Sequence, residues 1–397
     1  MNRAEWNELS LYAASHPFAL VFAELVRRMG PLVRVPGIGC VVNDPELARE
    51  VLMEAETFDK TGPGSMGAVY AQVMGPYTLL ALGGEEHRRL RAMLADLFSN
   101  AYIDRIQDEV LGPPLEHLRS SLEAGETVDL VRFMRLLTGR MTCYLLGVGV
   151  PADREEETYD ELYELGTRLA SGITLTTTSL SPAAQARSKG LHDRLTAYVA
   201  DAYEHSAARS DSVVARLKAA GLSLEQVRGV AGSLILTGTE TTTTAVPRLV
   251  AILCDTGQFA ALRSRRELLG AAIDEGLRCT VPSPVTVRSV ARDCEVRGHS
   301  FRAGERVVIF TYNVLKDGAH FPHPRHFSPD RAYDPKLRRL WFGAGSRFCL
   351  GYGIAMREMR AVLGVLLSAG DLEVRRRSRA RGVLIPAYSR LEIRVRP

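Results

Sequence analysis

A helical hydrophobic period that continues from about Glu85 to Gly270 constrains the fold more than any other feature of this sequence. Apolar residues recur there at the spacing of helices that bury one face. The period is interrupted near Gly125, at 147–153, at 172–182 and at 206–212. The middle of the chain is therefore predicted to be a bundle of α-helices, with the helical bulk at about 85–280.

Short β segments are predicted on both sides of this bundle. Alternating apolar residues and turn signals indicate them at about 32–42, 285–310 and 371–397, and a last helix at 350–367. Asp44 and Pro45 indicate the start of a further helix that ends near Glu54. The Gly- and Ser-rich stretch 59–83 is predicted to be a long functional loop. No linker separates these parts, so the sequence predicts one domain over 1–397, mainly α with a small β-rich region.

Composition and charge exclude several classes of protein. Hydrophobic residues make up 46% of the 397 positions and charged residues 24%, which are globular values. The net charge of +4 is too small to predict a nucleic-acid binder. Charged residues interrupt the N-terminal apolar stretch, so no signal peptide or membrane anchor is expected. Six cysteines without a disulfide-framework spacing fit a reducing compartment, and we expect a cytoplasmic monomer.

The segment 342–351 carries the clearest chemical signal. It is a Gly-rich turn that delivers Cys349 to the start of an amphipathic helix, where free N–H groups and a partial positive charge favour a thiolate that a metal can accept. Gly345 and Gly351 would let the backbone approach a flat cofactor. Arg347 would reach an anionic edge of that cofactor, and Phe342 would exclude water from the sulfur. An isolated cysteine is more often a small buried hydrophobe, so the flanking residues carry the prediction.

The pattern F-x-x-G-x-R-x-C-x-G in this segment resembles the haem-binding loop of the cytochrome P450 family, and further motifs extend the resemblance over nearly the whole chain. It implies the cytochrome P450 fold and haem b, with Cys349 as the ligand of the iron. The segment 237–242 resembles the oxygen-binding helix motif of the family. By resemblance, Thr241 donates a hydrogen bond to oxygen in the site and Glu240 relays protons from solvent. A buried helix with satisfied hydroxyls and a solvent-reaching Glu240 is the alternative.

Two further matches concern the surroundings of the cofactor. Glu275 and Arg278 match the E-x-x-R pair of the family, and Arg331 resembles the third partner, so these residues are implied to be structural. Four side chains look like ligands of the two haem propionates: His87, Arg91, Arg288 and Arg347. Taken one at a time, each of them is more often a charge on the protein surface.

The sequence also departs from the family pattern. Thr237 stands where the family usually has Ala or Gly, which adds a hydroxyl beside the oxygen site. Pro247 is predicted to kink the same helix one turn later. The last helix reads Ile354-Ala-Met where the family has Leu-Ala-Arg. The histidines at 320, 323 and 326 have metal-like spacing, but their Pro-rich coil favours a surface loop.

The implied activity is a monooxygenase that uses O2 and oxidises a small, largely apolar organic substrate, in bacterial secondary metabolism or catabolism. The chain has no flavin or nicotinamide fingerprint, so electrons from NAD(P)H are expected through a ferredoxin reductase and a ferredoxin, docking near Arg88, Arg89 and Arg357. Substrate contacts are expected from the segments 59–83 and 165–190 and from five residues: Leu234, Thr237, Val285, Leu384 and Ile385.

Other functions remain open at this point. Within the haem-thiolate class they are C–C coupling, desaturation and peroxide-driven oxidation. Outside catalysis they are a haem sensor or carrier, and a plain α-rich protein without haem.

Overall fold

The computed structural model describes residues 2–205 and 209–396, so the predicted break at 206–212 lies partly outside the described residues. The N-terminal part mixes helices with short strands. Its elements are α1 (Arg3–Ser15), α2 (Ala19–Met29), β1 (Leu32–Val35), β2 (Gly39–Val42), α3 (Pro45–Met53), β3 (Phe58–Asp59) and α4 (Met66–Met74). Asp44 caps α3 by accepting the backbone N–H of Leu47, with Pro45 in the first turn, as the sequence predicts.

The prediction of an uninterrupted loop at 59–83 was wrong, because α4 lies inside it. The hydroxyl of Ser65 caps this helix by accepting the N–H of Ala68 at 3.2 Å. Val69 and Val73 then bury one face of the helix in the core. A nine-residue helix is too short to be stable by propensity alone, so the cap and this burial stabilise it.

The helical bulk follows in the middle of the chain, interrupted by one short strand. Its elements are α5 (Gly84–Leu94), α6 (Asn100–Val110), α7 (Gly112–Glu123), β4 (Val128–Asp129), α8 (Leu130–Leu146), α9 (Glu155–Ser171), α10 (Pro182–Leu195), α11 (Ala197–Glu204), α12 (Val213–Ala219), α13 (Leu224–Asp255), α14 (Gln258–Ser264) and α15 (Leu269–Thr280).

The central element of this bundle is α13, which is 32 residues long. Ser223 and Gln226 form a capping box at its N-terminus. Most of the helix is buried on all sides, which is the position that an apolar helix without a polar face requires. Pro247 lies within the helix and donates no N–H, so the carbonyl of Thr243 receives no helical hydrogen bond from it.

The C-terminal part supplies most of the strands. Its elements are β5 (Thr286–Val290), β6 (Cys294–Val296), β7 (His299–Phe301), β8 (Arg306–Ile309), α16 (Thr311–Val314), α17 (Tyr352–Ala369), β9 (Leu372–Arg379) and β10 (Tyr388–Val395). The largest sheet has the order β1-β2-β8-β5-β3, in which β2 and β8 are parallel. A second sheet has the order β4-β10-β9, and β6 pairs with β7.

One hydrophobic cluster runs through the described residues from Leu11 to Ile393 and includes side chains from most of the helices. The fold is therefore mainly α with small β sheets, as predicted. Within 2–205 and 209–396, no single helix is both long enough and apolar enough to cross a membrane, although two sharply bent helix pairs meet the length and composition test together.

Candidate functional site

The turn before α17 presents Cys349. The N–H of Cys349 donates to the carbonyl of Phe342 at 2.9 Å, which closes the turn. Gly351 is the N-cap of α17, and its backbone N–H is directed at the Cys349 sulfur. The thiol therefore sits at a helix N-terminus, where hydrogen bonds and the helix dipole favour a thiolate.

Cys349 is the exposed cysteine among the six, all of which the structure describes as free. Burial nevertheless raises the pKa of its thiol, which the Gly351 N–H and the charges of Arg91 and Lys60 oppose. A side chain that is accessible and also surrounded by protein lies on the wall of a cavity. The thiol is thus placed to meet a molecule that enters this cavity.

The two glycines of the turn differ in their surroundings. A Cβ on Gly351 would meet no atom within 4 Å, so its backbone borders open space. Gly345 has a φ of +63°, and a Cβ there would lie 3.1 Å from the backbone of Leu52 and Met53. Gly345 therefore also allows close packing of the turn against α3.

Aromatic side chains surround the turn. Phe342 packs edge-on against Tyr352 with ring centroids 5.1 Å apart, and Phe348 lies 5.4 Å from the Tyr352 ring. These rings cover the protein side of the turn with apolar surface. This arrangement fits the expectation that Phe342 keeps water from the sulfur.

The predicted cations gather near Cys349, together with one that sequence reasoning missed, Lys60. His87 and Arg288 are buried, and the side chains of Arg91, Arg347 and Lys60 are half-buried. Burial, with the charges of Arg347 and Arg91, lowers the pKa of His87 to about 3. Burial also lowers the pKa of Arg288 to about 9 and of Arg347 to about 10, and each of these is further lowered by a neighbouring arginine.

This group, called the cation cluster below, consists of Lys60, Arg91, Arg288 and Arg347 with the neutral imidazole of His87, and it has too few anions of its own. Asp59 is the carboxylate that acts favourably on Arg288 and Arg347, and its oxygens accept hydrogen bonds from Thr61. The Nε of Arg288 is buried without a hydrogen-bond partner in the described part of the chain. Buried cations are normally paired, so the cluster fits a ligand with two carboxylates, as haem has.

The middle of α13 also has exposed residues. Thr237 and Gly238 are exposed although the helix around them is buried, so they border a cavity. The hydroxyl of Thr237 donates to the carbonyl of Ser233 at 2.7 Å, and that of Thr241 donates to the carbonyl of Thr237 at 2.8 Å. The hydroxyl of Thr243 instead lies 3.0 Å from that of Thr138 in α8. The hydroxyls of Thr237, Thr241 and Thr243 therefore have partners within the protein, as the structural alternative expected, whereas the hydroxyl of Thr244 is buried without one in the described part of the chain.

Glu240 does not reach solvent in the way that this alternative required. It is 5% exposed, and burial raises the pKa of its carboxyl to about 7. It forms no ion pair within residues 2–205 and 209–396; Tyr70 and Tyr163 are close enough for its charge to affect them. A buried carboxyl that titrates near neutral pH can both take up and release a proton.

The structure brings Glu275, Arg278 and Arg331 together. The Nε and Nη2 atoms of Arg278 each donate to the Glu275 carboxylate at 2.8 Å, and the Nε of Arg331 donates to it at 3.1 Å. Tyr333 donates a further bond at 2.5 Å. Burial opposes ionisation of Glu275, but these donors outweigh it and hold the pKa of the carboxyl below its usual value.

The same arginines also bind the coil that follows α16. Arg278 donates to the carbonyls of Leu315 and Pro324, and Arg331 donates to the carbonyls of Pro322 and His326. The network therefore fastens this coil to α15. The histidines of the coil form no metal cluster among the described residues; His323 and His326 stack with centroids 5.8 Å apart, and His320 contacts Asp317.

The expected substrate-contacting residues differ in burial. Leu234 and Val285 are half-buried, and Thr237 is exposed to the cavity. Ile385 is 8% exposed, and the carbonyl of Leu384 is bonded to the His16 ring at 3.0 Å. Ile385 thus belongs more to the core than to an open surface.

One further side chain connects three segments near this region. Arg306 donates to the carbonyl of Ile38 at 3.0 Å, of Gly64 at 2.8 Å and of Leu175 at 2.6 Å. The three carbonyls belong to the β1–β2 turn, the segment before α4 and the segment between α9 and α10. Arg306 therefore holds together parts of the chain that include both predicted substrate-contacting segments.

The predicted docking residues lie on the surface but are not equally free. Arg89 is exposed, and Arg88 is 3.5 Å from Glu56. Arg357 pairs with Asp104 in α6. Arg89 therefore has no ion pair among the described residues, Arg88 has a longer contact to an exposed carboxylate, and Arg357 is closely paired.

Sequence reasoning also missed Glu358. This residue of α17 is 2% exposed, and burial raises the pKa of its carboxyl to about 8, opposed by the Thr242 side chain. A glutamate in an amphipathic helix gives no sequence signal that it is buried. Lys60 was missed because it follows a two-residue strand whose partner the sequence does not reveal.

The chain is similar to known proteins over most of its length. A family model described as Cytochrome P450 matches residues 259–382. The cytochrome P-450 monooxygenase DoxA of Streptomyces sp. (strain C5) is 29% identical, covering 86% of this chain and 85% of that protein. The vitamin D3 dihydroxylase of Streptomyces griseolus is also 29% identical, covering 87% and 85%.

A solved structure shows the likeness of fold. P450BioI, in complex with hexadec-9Z-enoic acid ligated acyl carrier protein, superposes with a TM-score of 0.81 at 22% identity and covers 96% of this chain and 99% of that one. The predicted fold class is thereby confirmed.

Proposed function

We propose that this chain is a monooxygenase of the cytochrome P450 family, to which its relatives belong, that it holds haem b through Cys349 and that it inserts one oxygen atom of O2 into a small, largely apolar organic substrate. We assign this reaction to bacterial secondary metabolism or catabolism. The observation that carries the proposal is an accessible thiol beside a group of buried cations that the carboxylate of Asp59 alone cannot balance. One molecule of haem would satisfy the thiol with its iron and the cations with its propionates.

Each residue of the candidate site would have its own role in binding haem. Cys349 supplies the thiolate, and Gly351 leaves its face of the turn open. His87, Arg91, Arg288 and Arg347 hold the propionates, and Phe342 shields the sulfur. Bound haem supplies an iron that reduces O2, where thiolate donation favours cleavage of the O–O bond.

The chain moves protons from Glu240 toward Thr241 in this proposal. The carboxyl of Glu240 exchanges protons near neutral pH, because burial brings its pKa to about 7. Thr241 presents a hydroxyl whose own proton is held by the Thr237 carbonyl. Its oxygen can accept a hydrogen bond in the cavity, and the hydroxyl must turn from the Thr237 carbonyl toward the cavity to pass a proton on. Thr237 contributes a second hydroxyl one turn earlier.

The substrate would lie against the exposed part of α13. Leu234, Thr237 and Val285 are the contacts that their exposure best supports. Leu384 would contribute through the turn before β10, and the largely buried Ile385 would contribute only where its side chain borders the site. The mixture of aliphatic side chains with one hydroxyl suits a largely apolar molecule with few polar groups.

Electrons would come from NAD(P)H through a ferredoxin reductase and a ferredoxin. Arg88 and Arg89 would meet acidic groups of the ferredoxin, with Arg357 at the edge of the contact. The main hydrophobic cluster, which extends from Leu11 to Ile393, supports one domain over 1–397. We propose that this domain acts as a monomer in the cytoplasm.

The spectrum of the reduced carbon monoxide adduct tests the proposal. Wild type is expected to give the red-shifted Soret band of a thiolate-ligated haem, and Cys349→His to lose it while keeping haem. Cys279→Ala and Cys294→Ala are matched controls that must keep the band. Retention of the band in Cys349→His would refute the assignment of the ligand.

Turnover assays separate the remaining alternatives. A haem sensor or carrier would show the band but would not consume NAD(P)H with ferredoxin and substrate. A peroxide-driven enzyme would form product with hydrogen peroxide and without a reductase. Incorporation of labelled oxygen from O2 distinguishes oxygen insertion from desaturation or C–C coupling.

A further inference from the structure

Strand pairing places Lys60 beside Arg288. Phe58 pairs with Val290 and Asp59 with Ser289 in the antiparallel contact of β3 with β5. Continued by one residue, the same register sets Lys60 opposite Arg288. Side chains directly opposite each other on neighbouring strands point to the same face, and like charges in that position repel.

The surroundings of Lys60 supply more positive charge. Burial lowers the pKa of its ammonium group well below the usual value, and the charges of Arg288 and Arg347 lower it further. Residues 2–205 and 209–396 provide no hydrogen bond or ion pair to this ammonium group. A half-buried lysine without an acceptor fits a site for an anion that comes from outside the chain.

The backbone of Lys60 is fixed to the segment that precedes α4. Its carbonyl accepts the hydroxyl of Ser65, and Ser65 is the N-cap of α4. Beyond α4, Arg347 donates to the carbonyls of Leu79 and Leu82 at 3.5 and 2.5 Å. One member of the cation cluster, Lys60, is therefore the first residue of the segment 60–82. Another member, Arg347, binds the opposite end of this segment.

On the basis of the proposed function, we infer that Lys60 is an additional ligand of the haem propionates and that this bond holds the segment 60–66 against the site. Without the anion, burial and the charges of Arg288 and Arg347 disfavour an ammonium group at this position, and the segment is released. When the anion is present, it attracts Lys60, Arg288 and Arg347 together. The Ser65 cap of α4 is then held in place. Cofactor binding and ordering of this segment are therefore coupled.

Haem release tests the contact with the propionates. Transfer of haem to an excess of apomyoglobin is expected to be roughly tenfold faster from Lys60→Gln than from wild type, and close to wild type from Lys60→Arg. Lys336→Gln, an exposed lysine remote from the cluster, is the matched control and must behave as wild type. Removal of a positive charge should also lower the midpoint potential of the bound iron. Equal release rates and potentials in wild type and Lys60→Gln would overturn the inference.

Hydrogen exchange tests the coupling. Backbone amides at 61–68 should become protected when haem binds to wild type and to Lys60→Arg, but should stay near the apoprotein rate in Lys60→Gln and Lys60→Met. Equal protection in all four holoproteins would overturn the coupling. Failure of wild type to bind haem at all would instead refute the proposed function, so the two failures are distinguishable.

Discussion

The hydroxyl of Thr241 donates to the carbonyl of Thr237 at 2.8 Å, one turn earlier in α13. Its proton is thus fixed in the helix while its oxygen remains available in the cavity. We predict that Thr241→Ala lowers the fraction of consumed NAD(P)H that appears as product by roughly tenfold, because proton delivery fails and O2 leaves as hydrogen peroxide. Haem content and the substrate-induced spectral shift should stay near wild type. Parallel assays of NAD(P)H, product and peroxide measure the effect.

The hydroxyl of Thr237 can substitute for that of Thr241, since it lies one turn away on the same face of the helix. Thr237→Ala combined with Thr241→Ala removes both hydroxyls. Wild-type efficiency in the double variant would show that neither hydroxyl delivers protons.

Glu240 should give turnover a pH dependence near neutrality. Its folded pKa of about 7 lies above the usual glutamate value, so the carboxyl is protonated below that pH and ionised above it. A relay needs both forms, and turnover should therefore be greatest near pH 7. Glu240→Gln should lower turnover by roughly 100-fold and flatten the profile. Glu225→Gln, at an exposed position of α13, is the control; an unchanged profile in Glu240→Gln would exclude the relay.

Charge reversal should slow the arrival of electrons. Arg88→Glu and Arg89→Glu are expected to reduce the rate of first-electron transfer from ferredoxin by about tenfold at low salt, because electrostatics mainly governs association. Arg357→Glu should have a smaller effect, since Asp104 already neutralises this arginine. Stopped-flow reduction at several ionic strengths is the measurement. Insensitivity to both salt and substitution would show that the partner docks elsewhere.

The Glu275 network should stabilise the fold. Glu275→Gln leaves Arg278 buried without its counter-charge, and we predict a loss of about 3–5 kcal/mol in the free energy of unfolding at pH 7. The folded pKa of Glu275 lies below its unfolded value, so this stabilisation is present at neutral pH and is lost as the pH falls through the folded pKa. The difference between the two proteins should therefore narrow in acid.

Denaturant unfolding from neutral to acid pH checks this prediction. Glu116→Gln, which removes an exposed partner of Arg119, is the control and should leave the midpoint unchanged. A difference of equal size at every pH would show that the effect of Glu275→Gln is not electrostatic.

Sequence alone predicted those elements whose signals are local. The Asp44 cap with Pro45 marked α3, and the left-handed Gly147 ended α8 where the helical period broke. The last helix, expected at 350–367, is α17 at Tyr352–Ala369. The helix α4 was missed because its stability comes from a cap and from burial that the flanking Gly- and Ser-rich sequence conceals.

The candidate site depended on contacts that are remote in sequence. The resemblance indicated four members of the cation cluster, but Lys60 joins it through a strand pair more than 200 residues apart, Asp59 with Ser289. Likewise, the pattern did not reveal that Gly345 packs on α3. Pairing and packing at such separations follow from the folded topology, which hydrophobic periodicity does not encode.

The hydrogen bonds from Arg306 to three carbonyls limit which sequence changes the three segments can accept. The β1–β2 turn, the segment before α4 and the segment after α9 share one guanidinium donor at Ile38, Gly64 and Leu175. A chimera that imports one of these segments from a relative must keep a carbonyl at the matching position, or a half-buried donor is left unsatisfied. The three segments are therefore expected to covary, and specificity is better altered by exchanging them as a set than one at a time.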